Sequence, residues 1–393
     1  MDLATFQALL AVSGQQALAD AMALEPTEAG FLACFEKLRK RHPAPLAKAA
    51  IEAALLRIKA RAKFEFAAEM YFTREALEQA SGDHAAAHRA KRFVPFGVVA
   101  DLCCGIGGDS LAFARAGLTV HAVDLDSLRL AMTGANAAAL GLKERIHLHE
   151  GDALKIPLPD VLAAFADPSR RTNGRRYLDP EDYTPPLSAL RDRFPADFPL
   201  AVKIAPGVAS SNLTELRAEV EFVSVDGELK ECVVWFGSFR TTGRRATLLP
   251  AGVALFADNP IPMPPVEPAW EYVFDPDPAI VRAGLTSQLA ADLGVFPLDH
   301  TVALFTGHEA RRSPFLTTFR IERATRFHPR RLRDHLRAQH VGRVTAIKRG
   351  STIDSEKLMK SLKLEGEEHR VIILARIRGE ETMFIGERAY TDC

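Results

Sequence analysis

The chain has 393 residues, of which 47% are hydrophobic and 25% are charged. This composition is typical of globular proteins, and the length exceeds what one ordinary core supports, so we expect two to four domains. Lysine plus arginine and aspartate plus glutamate number 50 each. This balance excludes a uniformly basic or acidic protein, and any charged surface must be local.

The cysteines and the N-terminus indicate no metal, disulfide or targeting signal. The five cysteines contain no C-x-x-C pair, and the histidines form no cluster with metal-ligand spacing, so we expect neither a metal site nor a disulfide framework. The chain starts Met1-Asp2-Leu3 without a basic segment and a long apolar one, and no apolar run reaches membrane length. We therefore expect a cytoplasmic protein.

Residues 1–92 predict a helical N-terminal domain. Apolar residues recur at helical spacing in residues 45–64, and Thr73 is placed to cap a helix over Arg74–Ala80. Such stripes are usually packing surfaces, so we expect a bundle without chemistry of its own. Its last segment, His84–Lys91, directly precedes the next strand and could line a ligand pocket.

Residues 93–250 alternate between strand and helix patterns, which predicts an α/β domain whose parallel sheet is covered on both faces. The first two strands are each followed by a helical pattern, starting at Ser110 and Leu128. The predicted strands are Val98–Leu102, Thr119–Asp126, Ile146–Asp152, Val161–Ala166 and Leu200–Ile204, then an antiparallel pair over Val220–Val225 and Cys232–Phe236.

The remaining chain predicts two smaller parts. Residues 251–267 are rich in proline and lack a clear period, and residues 268–317 contain a helical pattern over Ala279–Leu293. Residues 251–317 are therefore interpreted as a linker and a small α/β segment, for which a ferredoxin-like arrangement is one option. Residues 318–393 predict a small α+β domain with strands Thr318–Phe327, Val341–Arg349, Arg370–Ile377 and Thr382–Glu387 and helices Pro329–His340 and Asp354–Leu364.

A glycine turn between the first strand and its helix predicts a nucleotide-like ligand. The pattern Asp101-x-x-x-Gly105-x-Gly107 gives a tight turn, close backbone approach and a helix N-terminus. Asp124 closes the second strand about 20 residues further on, where a carboxylate can accept both ribose hydroxyls. These features alone leave NAD and S-adenosylmethionine open.

Three details favour the methyl donor. Ser110 stands where a dinucleotide site has its third glycine. The Asp101 carboxylate suits a cationic amino-acid tail and would repel a pyrophosphate. Gly151-Asp152 ends the third strand with another acid, placed to accept a hydrogen bond from the exocyclic amine of adenine. Three successive strands thus end in aspartate on the edge where open α/β sheets bind ligands.

On these motifs, residues 96–250 resemble a class I S-adenosylmethionine-dependent methyltransferase. The motifs are Asp101–Asp109, Ala122–Asp126 with Asn136, and Gly151-Asp152, and they are most similar to trimethylguanosine-synthase-like RNA methyltransferases. The resemblance implies a Rossmann-like seven-stranded sheet with an antiparallel last strand. The whole chain resembles bacterial methyltransferases with a THUMP-like C-terminal domain.

The resemblance also implies the cofactor contacts. It assigns Asp101 and the glycine turn to the methionine end of S-adenosylmethionine, Asp124 to the ribose and Asp152 to the adenine. The complete set of predicted cofactor-binding residues is Asp101, Cys103, Gly105, Gly107, Asp109, Asp124, Leu125, Gly151, Asp152, Ala153 and Asp167.

The fourth strand ends in the segment expected to contact the methyl acceptor. Amine methyltransferases commonly carry (Asp/Asn)-Pro-Pro-aromatic there, and this chain has Asp167-Pro168-Ser169-Arg170. An arginine plane can stack on a base or pair with a phosphate, and Tyr177 or Tyr183 could supply the missing ring. The predicted catalytic residues are Asp167, Pro168, Ser169, Arg170 and Lys203.

Lys203 belongs to this set because of a second interpretation. Ribose 2′-O-methyltransferases carry an acid, a lysine and a glutamate at matching strand positions, where this chain has Asp167, Lys203 and Glu231. A lysine beside two acids can help to deprotonate a hydroxyl, which an amine acceptor does not require. That family's fourth member is a lysine, for which Lys91 or Lys63 could serve. The simpler interpretation is a surface ion pair between Lys203 and Glu231.

Two groups of basic residues predict RNA as the partner. Residues 307–350 contain 12 Lys or Arg against 3 Asp or Glu, a local charge of +9, which is the footprint of a phosphate-backbone binder. A second basic group follows the fourth strand, in a loop at the ligand-binding edge. The predicted substrate-binding residues are Arg171, Arg175, Arg176, Tyr177, Arg330, Arg331, Lys348 and Arg349.

The sequence therefore predicts an S-adenosylmethionine-dependent methyltransferase acting on a base nitrogen of structured RNA (tRNA or rRNA). Three alternatives stay open: a ribose 2′-O-methyltransferase, a methyltransferase of small molecules or proteins, and a binding protein that keeps the cofactor pocket without turnover.

Overall fold

The structure, a computed structural model, describes residues 1–172, 175–214 and 216–390. Its helices are α1 (Leu3–Leu10), α2 (Val12–Ala23), α3 (Phe31–Leu38), α4 (Ala44–Ala60), α5 (Arg74–Gln79), α6 (Asp83–Phe93), α7 (Gly108–Arg115), α8 (Ser127–Ala139), α9 (Leu187–Asp192), α10 (Ser211–Thr214), α11 (Pro278–Ala283), α12 (Thr286–Leu293), α13 (Pro329–Ala338) and α14 (Ser355–Leu362). None of the helices in these ranges is long and apolar enough to cross a membrane.

The strands are β1 (Val98–Leu102), β2 (Thr119–Asp124), β3 (Ile146–Glu150), β4 (Ala163–Ala166), β5 (Arg171–Thr172), β6 (Arg175–Arg176), β7 (Leu200–Ile204), β8 (Glu219–Val225), β9 (Glu228–Trp235), β10 (Arg244–Leu249), β11 (Val253–Ala257), β12 (Tyr272–Pro276), β13 (Phe296–Pro297), β14 (Phe305–Gly307), β15 (Leu316–Arg326), β16 (Val341–Arg349), β17 (Glu368–Ile377) and β18 (Glu380–Arg388). The chain divides into two compact units. The first holds residues 1–219 and 231–241, and the second holds residues 220–230 and the chain from residue 242 onwards.

The sheet of the first unit brings the predicted strand ends together. Its strands follow the order β9-β7-β4-β1-β2-β3, with parallel pairing throughout except between β7 and β9. The predicted antiparallel last strand is thereby confirmed. The carboxyl ends of β1, β2, β3, β4 and β7 meet at one edge, because parallel strands share their direction.

The N-terminal helices pack onto this sheet and share its core. Phe6 and Ile51 belong to one buried cluster with Val99 and Phe165 of the sheet. The boundary predicted at residue 92 therefore does not separate two cores. The predicted cap is confirmed, since the Thr73 hydroxyl accepts a hydrogen bond from the Ala76 N–H at 3.0 Å.

In the second unit, a seven-stranded sheet runs in the order β13-β14-β12-β15-β18-β17-β16. One of its faces buries Phe319, Ile373 and Phe384. On the other face, a second cluster unites Leu336 of α13 and Leu358 of α14 with residues of the sheet. This two-sided core explains the α+β pattern of the C-terminal sequence.

Three details of the predicted organisation differ from the structure. The predicted linker contains a strand, β11, which pairs with β10. β12 and β14 belong to the same sheet as β15, so the predicted boundary at residue 318 falls inside one sheet. The helix predicted over Ala279–Leu293 is divided into α11 and α12, because Gly284 adopts a left-handed conformation (φ 71°) that ends α11.

Candidate functional site

The glycine turn between β1 and α7 has open space at Gly105, and hydrogen bonds hold its other side at Ile106. Gly105 and Gly107 have φ of 60° and 84°, values that favour glycine. A Cβ at Gly105 would meet nothing within 4 Å, whereas one at Gly107 would lie 2.8 Å from Thr133. Asn136 donates to the Ile106 and Tyr71 carbonyls at 3.0 and 3.1 Å. The turn is therefore held by hydrogen bonds and has open space beside the Gly105 Cα.

Cys103 contributes to this turn through its backbone. It has φ of 63°, which is uncommon for a residue with a side chain and is typical of functional turns. The Cys104 N–H beside it donates to the Val123 carbonyl at 2.9 Å, so the turn is hydrogen-bonded to the neighbouring strand β2.

Asp101, at the end of β1, carries a buried carboxylate with spare capacity. Its exposed fraction is 1%, and its Oδ2 accepts a hydrogen bond from the Ser110 hydroxyl at 2.5 Å. Its Oδ1 is buried and has no hydrogen-bond partner among the described residues. Burial first, and then the charge of Asp109, raise the pKa of Asp101 well above its ordinary value. A cationic group would satisfy this carboxylate.

The ends of β2 and β3 place two more acids along the same edge. The Asp124 carboxylate accepts from the Gly105 N–H at 2.8 Å and the Asp126 N–H at 2.9 Å, and burial raises its pKa. The Asp152 carboxylate is more open and accepts from the Leu154 N–H at 2.9 Å, which lowers its pKa.

The residues next to these acids in the chain, Leu125, Gly151 and Ala153, are apolar or lack a side chain. Leu125 is 67% exposed although it is a large hydrophobic residue. The Gly151 N–H donates to the Asp124 carbonyl at 3.0 Å, and Ala153 is buried. The exposed Leu125, which directly follows Asp124, adds an apolar surface to an edge that carries two carboxylates.

Asp109 lies at the start of α7, where a residue from the helical region holds it. Arg89 of α6 is 1% exposed and donates to Asp109 Oδ1 from Nε at 2.9 Å and from Nη2 at 2.5 Å. It also donates to Glu231 and, at 2.8 Å, to the Ser81 hydroxyl. Burial alone would lower the pKa of Arg89, but Asp109 and Glu231 raise it above its ordinary value.

Sequence reasoning did not find Arg89 as a site residue, although a signal exists. The buried residues of α6 include Ala86, Arg89, Ala90 and Phe93. Their spacing is that of an apolar helical stripe, in which an arginine needs a buried partner. The predicted pocket-lining segment His84–Lys91 contains this residue.

Asp167 follows β4 and forms an ion pair with Lys203 of β7. The Lys203 ammonium donates to Asp167 Oδ2 at 2.7 Å, and Lys203 is 4% exposed. Glu231 is also buried and binds Arg89 and Ser81. The interpretation of Lys203 and Glu231 as a surface ion pair is therefore wrong, because both side chains are buried and Lys203 pairs with Asp167.

The two lysines considered as fourth members of that arrangement lie elsewhere. The Lys63 ammonium donates to the Leu77 carbonyl at 2.9 Å, and Lys91 is exposed. The cation that reaches Glu231 is Arg89. Of the two predicted candidates, only Lys91 lies on the helix that carries Arg89, and neither lysine is the residue that binds Glu231 in the structure.

A hairpin projects from the chain after Asp167. Its base is closed by two backbone hydrogen bonds between Ser169 and Thr184, both of 3.0 Å, and by one from the Tyr177 N–H to the Arg170 carbonyl at 2.9 Å. Pro168 is buried below it. The buried Tyr183 hydroxyl accepts from the Ala205 N–H at 3.0 Å, which ties the hairpin to the end of β7.

The arms of the hairpin are basic. Arg175 and Arg176 are exposed, and the Arg175 guanidinium lies 5.4 Å from the Tyr177 ring centroid. The prediction for the Arg171 side chain lies outside the described residues. Tyr177, half-buried, is the ring that stays accessible, whereas Tyr183 is buried.

In the second unit the predicted basic residues have different surroundings. Arg330 and Arg331, in the first turn of α13, are exposed, as is Lys348 of β16. Arg349 instead donates to both carboxylate oxygens of the buried Asp275, at 2.7 Å each. Its guanidinium is thus used within the domain.

Comparisons with known proteins identify the family. Uncharacterised S-adenosylmethionine-dependent methyltransferases from two strains of Mycobacterium tuberculosis (CDC 1551 and H37Rv) are each 35% identical over 310 residues, which is 78% of this chain and 84% of theirs. The chain belongs to the S-adenosylmethionine-dependent methyltransferases. Its cofactor is S-adenosylmethionine.

Family models match three segments of this methyltransferase. Residues 96–194 match RNA cap guanine-N2 methyltransferases, residues 316–388 match a THUMP domain-like family, and residues 2–60 match a domain of unknown function. A crystal structure from Porphyromonas gingivalis W83, described provisionally as a methyltransferase, has a TM-score of 0.73 at 20% identity, covering 93% of this chain and 100% of its own. The predicted fold class is confirmed: a methyltransferase core, an N-terminal helical region and a THUMP-like C-terminal domain.

Proposed function

We propose that this methyltransferase transfers a methyl group to a base nitrogen of structured RNA, tRNA or rRNA. The observation that carries the proposal is the position of Asp167. Its carboxylate ends β4 at the edge that holds the glycine turn, and an arginine-bearing hairpin starts two residues later. The matches to RNA cap methyltransferase and THUMP domain-like models support RNA as the substrate.

The residues along the sheet edge fit the cofactor. Among the described residues the buried Asp101 Oδ1 lacks a partner, and it suits the ammonium of the methionine end. The open space at Gly105 admits close approach to the backbone. Asp124 would accept the ribose hydroxyls. Asp152 and the exposed Leu125 would bind the adenine amine and ring, with Gly151 and Ala153 beneath. When bound, S-adenosylmethionine supplies an activated methyl group on a positively charged sulfur.

The charge of the site also fits this cofactor. The acids Asp101, Asp109, Asp167 and Glu231 outnumber the buried bases Arg89 and Lys203 by two, and by one while Asp101 keeps its proton. A surplus of negative charge in a poorly solvated site attracts a cationic ligand more strongly than in water. The ammonium and the sulfonium of S-adenosylmethionine are such cations.

Asp167 would position the acceptor. Its carboxylate accepts hydrogen bonds from an exocyclic amine, which directs the nitrogen lone pair towards the methyl group, and in-line displacement depends mainly on such alignment. Lys203 fixes the carboxylate from the other side at 2.7 Å. Pro168, Ser169 and Arg170 directly follow Asp167 and would form the wall of the acceptor site.

The hairpin and the C-terminal domain would hold the RNA. Arg175, Arg176 and Tyr177 offer guanidinium groups and a ring for phosphates and bases. The exposed Arg330, Arg331 and Lys348 would contact the phosphate backbone. Arg349 is left out of this set, because it is paired with Asp275.

A hydroxyl acceptor is the second candidate, and one contact favours it. The buried ion pair between Lys203 and Asp167 resembles the start of a proton relay that a ribose hydroxyl would need. The structure gives Glu231 a different partner, Arg89. We therefore rank a base nitrogen first.

Mass spectrometry of nucleosides tests the proposal. Total tRNA and rRNA from a strain lacking this protein should lose one methylated base, and the purified protein with S-adenosylmethionine should restore it. Loss of a 2′-O-methylated nucleoside would select the second candidate. Unchanged nucleosides, together with no methyl transfer to RNA from the deletion strain, would overturn the RNA proposal.

A further inference from the structure

Arg89 connects the N-terminal helical region to the cofactor site. It lies on α6, before the first strand of the sheet, yet its guanidinium is buried among groups from three other parts of the chain: Asp109 on α7, Glu231 on β9 and Ser81 in the loop before α6. The guanidinium also lies 4.6 Å from the centroid of the Phe165 ring on β4. One side chain therefore links four elements around the site.

The contacts of Arg89 lead through Asp109 and Ser110 to Asp101, the carboxylate that we assign to the cofactor ammonium. Asp109 is followed in the first turn of α7 by Ser110, whose hydroxyl donates to Asp101 at 2.5 Å. By binding Asp109, Arg89 therefore fixes the first turn of α7, whose Ser110 orients Asp101. The free Oδ1 of Asp101 is the oxygen that we assign to the cofactor ammonium.

The charge of Arg89 also helps to keep Lys203 paired with Asp167 at the acceptor end. Lys203 lies close enough to Asp109 for its charge to favour that carboxylate. Without Arg89, Asp109 and Glu231 would be buried acids without their main counter-ion, a costly state. Lys203 would then be drawn towards them and away from Asp167.

We propose that Arg89 is a positioning residue of the methyl-transfer site, which holds Asp109 and Glu231 so that Asp101 and the Lys203–Asp167 pair keep their places. The N-terminal helical region is thereby part of the cofactor-binding machinery. The inference rests on the cofactor assignment under Proposed function, and it does not depend on the identity of the acceptor.

A second arginine on the same helix provides a matched control. Arg92 donates to Glu219 at 2.7 and 3.1 Å and lies 3.9 Å from the centroid of a Trp235 ring. It is also largely buried and joins α6 to a later part of the chain. Its partner Glu219 is outside the set of acids around Asp101. Replacing Arg92 removes the same kind of interaction without touching the site.

The experiment measures the binding of S-adenosylhomocysteine to the full chain by calorimetry, together with thermal unfolding. Arg89→Gln should weaken binding about tenfold or more, since hydrogen bonds to charged groups have this effect. Arg89→Lys should recover most of the affinity, because it restores the cation. Arg92→Gln should lower the unfolding temperature and leave the affinity within about twofold of wild type.

Several outcomes would overturn the inference. They are an affinity of Arg89→Gln close to wild type, an equal loss in Arg92→Gln, or no recovery in Arg89→Lys. If Arg89→Gln does not fold, Arg89→Gln with Glu231→Gln removes one of the two buried acids that lose their counter-ion, and this double variant should fold yet bind weakly. Wild-type affinity in the double variant would also contradict the proposal.

The cofactor assignment itself has a separate check. Asp124→Ala should bind S-adenosylhomocysteine more weakly than wild type, because it removes the acceptor of the ribose hydroxyls. Wild-type affinity in Asp124→Ala would refute the assignment of the pocket, whatever the Arg89 variants show.

Discussion

The proposed cofactor side of the site rests on buried carboxylates held by hydrogen bonds, whereas the proposed acceptor side is an exposed hairpin with arginines. Asp101 and Asp124 each have fixed partners inside the core. Arg175 and Arg176 project into solvent. In the proposed function, the core would fix the methyl donor, and the hairpin would bind the substrate.

The two sides meet at Asp167, whose removal should have the largest effect. Asp167→Ala should lower the rate of methyl transfer at least about 10²-fold, because misplacing an acceptor by a small distance has this consequence. Binding of S-adenosylhomocysteine should change far less. Single-turnover kinetics with RNA from the deletion strain and calorimetry measure the two quantities.

Asp167→Asn is the control, since it keeps an oxygen that accepts hydrogen bonds, and it should retain more activity than the alanine variant. An equal loss of cofactor binding and of rate in Asp167→Ala would contradict the division between the two sides.

On the cofactor side, Asp101 should give binding a dependence on pH. In the free protein, burial and then Asp109 raise the pKa of Asp101 well above its ordinary value. An ammonium ion favours the carboxylate, so cofactor binding should expel a proton, and affinity should rise as the pH rises through this raised pKa. Calorimetry in buffers of different ionisation enthalpy counts the released protons.

Asp101→Asn provides the comparison for that measurement. It keeps an acceptor for Ser110 but cannot lose a proton, so it should bind about tenfold more weakly and release no proton. The same proton release in wild type and variant would refute the role of Asp101.

The contrast between the two sides also explains what could be predicted from the sequence. The five parallel strands were predicted to within two residues at each end, and the glycine turn was predicted, because strand periodicity and turn glycines are local signals. Pairings between distant residues were not. Arg89 meets Glu231 across 142 positions, and Arg349 meets Asp275 across 74.

Such pairings depend on how helices and strands pack, which local patterns do not encode. Lys203 illustrates this limit. Its position on β7 beside Asp167 agrees with the ribose interpretation. The simpler pairing with Glu231 is wrong, because Arg89 from a separate helix binds Glu231. The same reason applies to β12 and β14, whose membership of the C-terminal sheet depends on pairing with β15 and β12.

Lys203 can sharpen the assignment of the acceptor. For a base nitrogen, Lys203→Met should slow methyl transfer only about two- to fivefold, because the lysine merely orients Asp167. For a ribose hydroxyl, the loss should reach about 10²-fold, since deprotonation then limits the rate. Rates of single turnover over a range of pH distinguish the two, and a steep loss that high pH relieves would favour the hydroxyl.

The smallest effect is expected at the hairpin. This prediction tests most directly whether the acceptor side binds RNA independently of the cofactor side. Arg175→Ala with Arg176→Ala removes two exposed guanidinium groups and should weaken RNA binding about threefold at moderate salt. The slope of log affinity against log salt concentration should fall by about 1.5, because fewer counter-ions are released. Cofactor affinity should stay unchanged, because the core alone determines it.

Arg39→Ala with Arg61→Ala is the matched control, because it removes two exposed arginines that directly follow α3 and α4 in the same unit. If both pairs change the salt dependence equally, the hairpin adds only general charge, and RNA is not held beside Asp167. A change in salt dependence confined to the hairpin pair would instead indicate that RNA phosphates bind near Asp167. The exposed arginines would then set the substrate, while the buried acids set the cofactor.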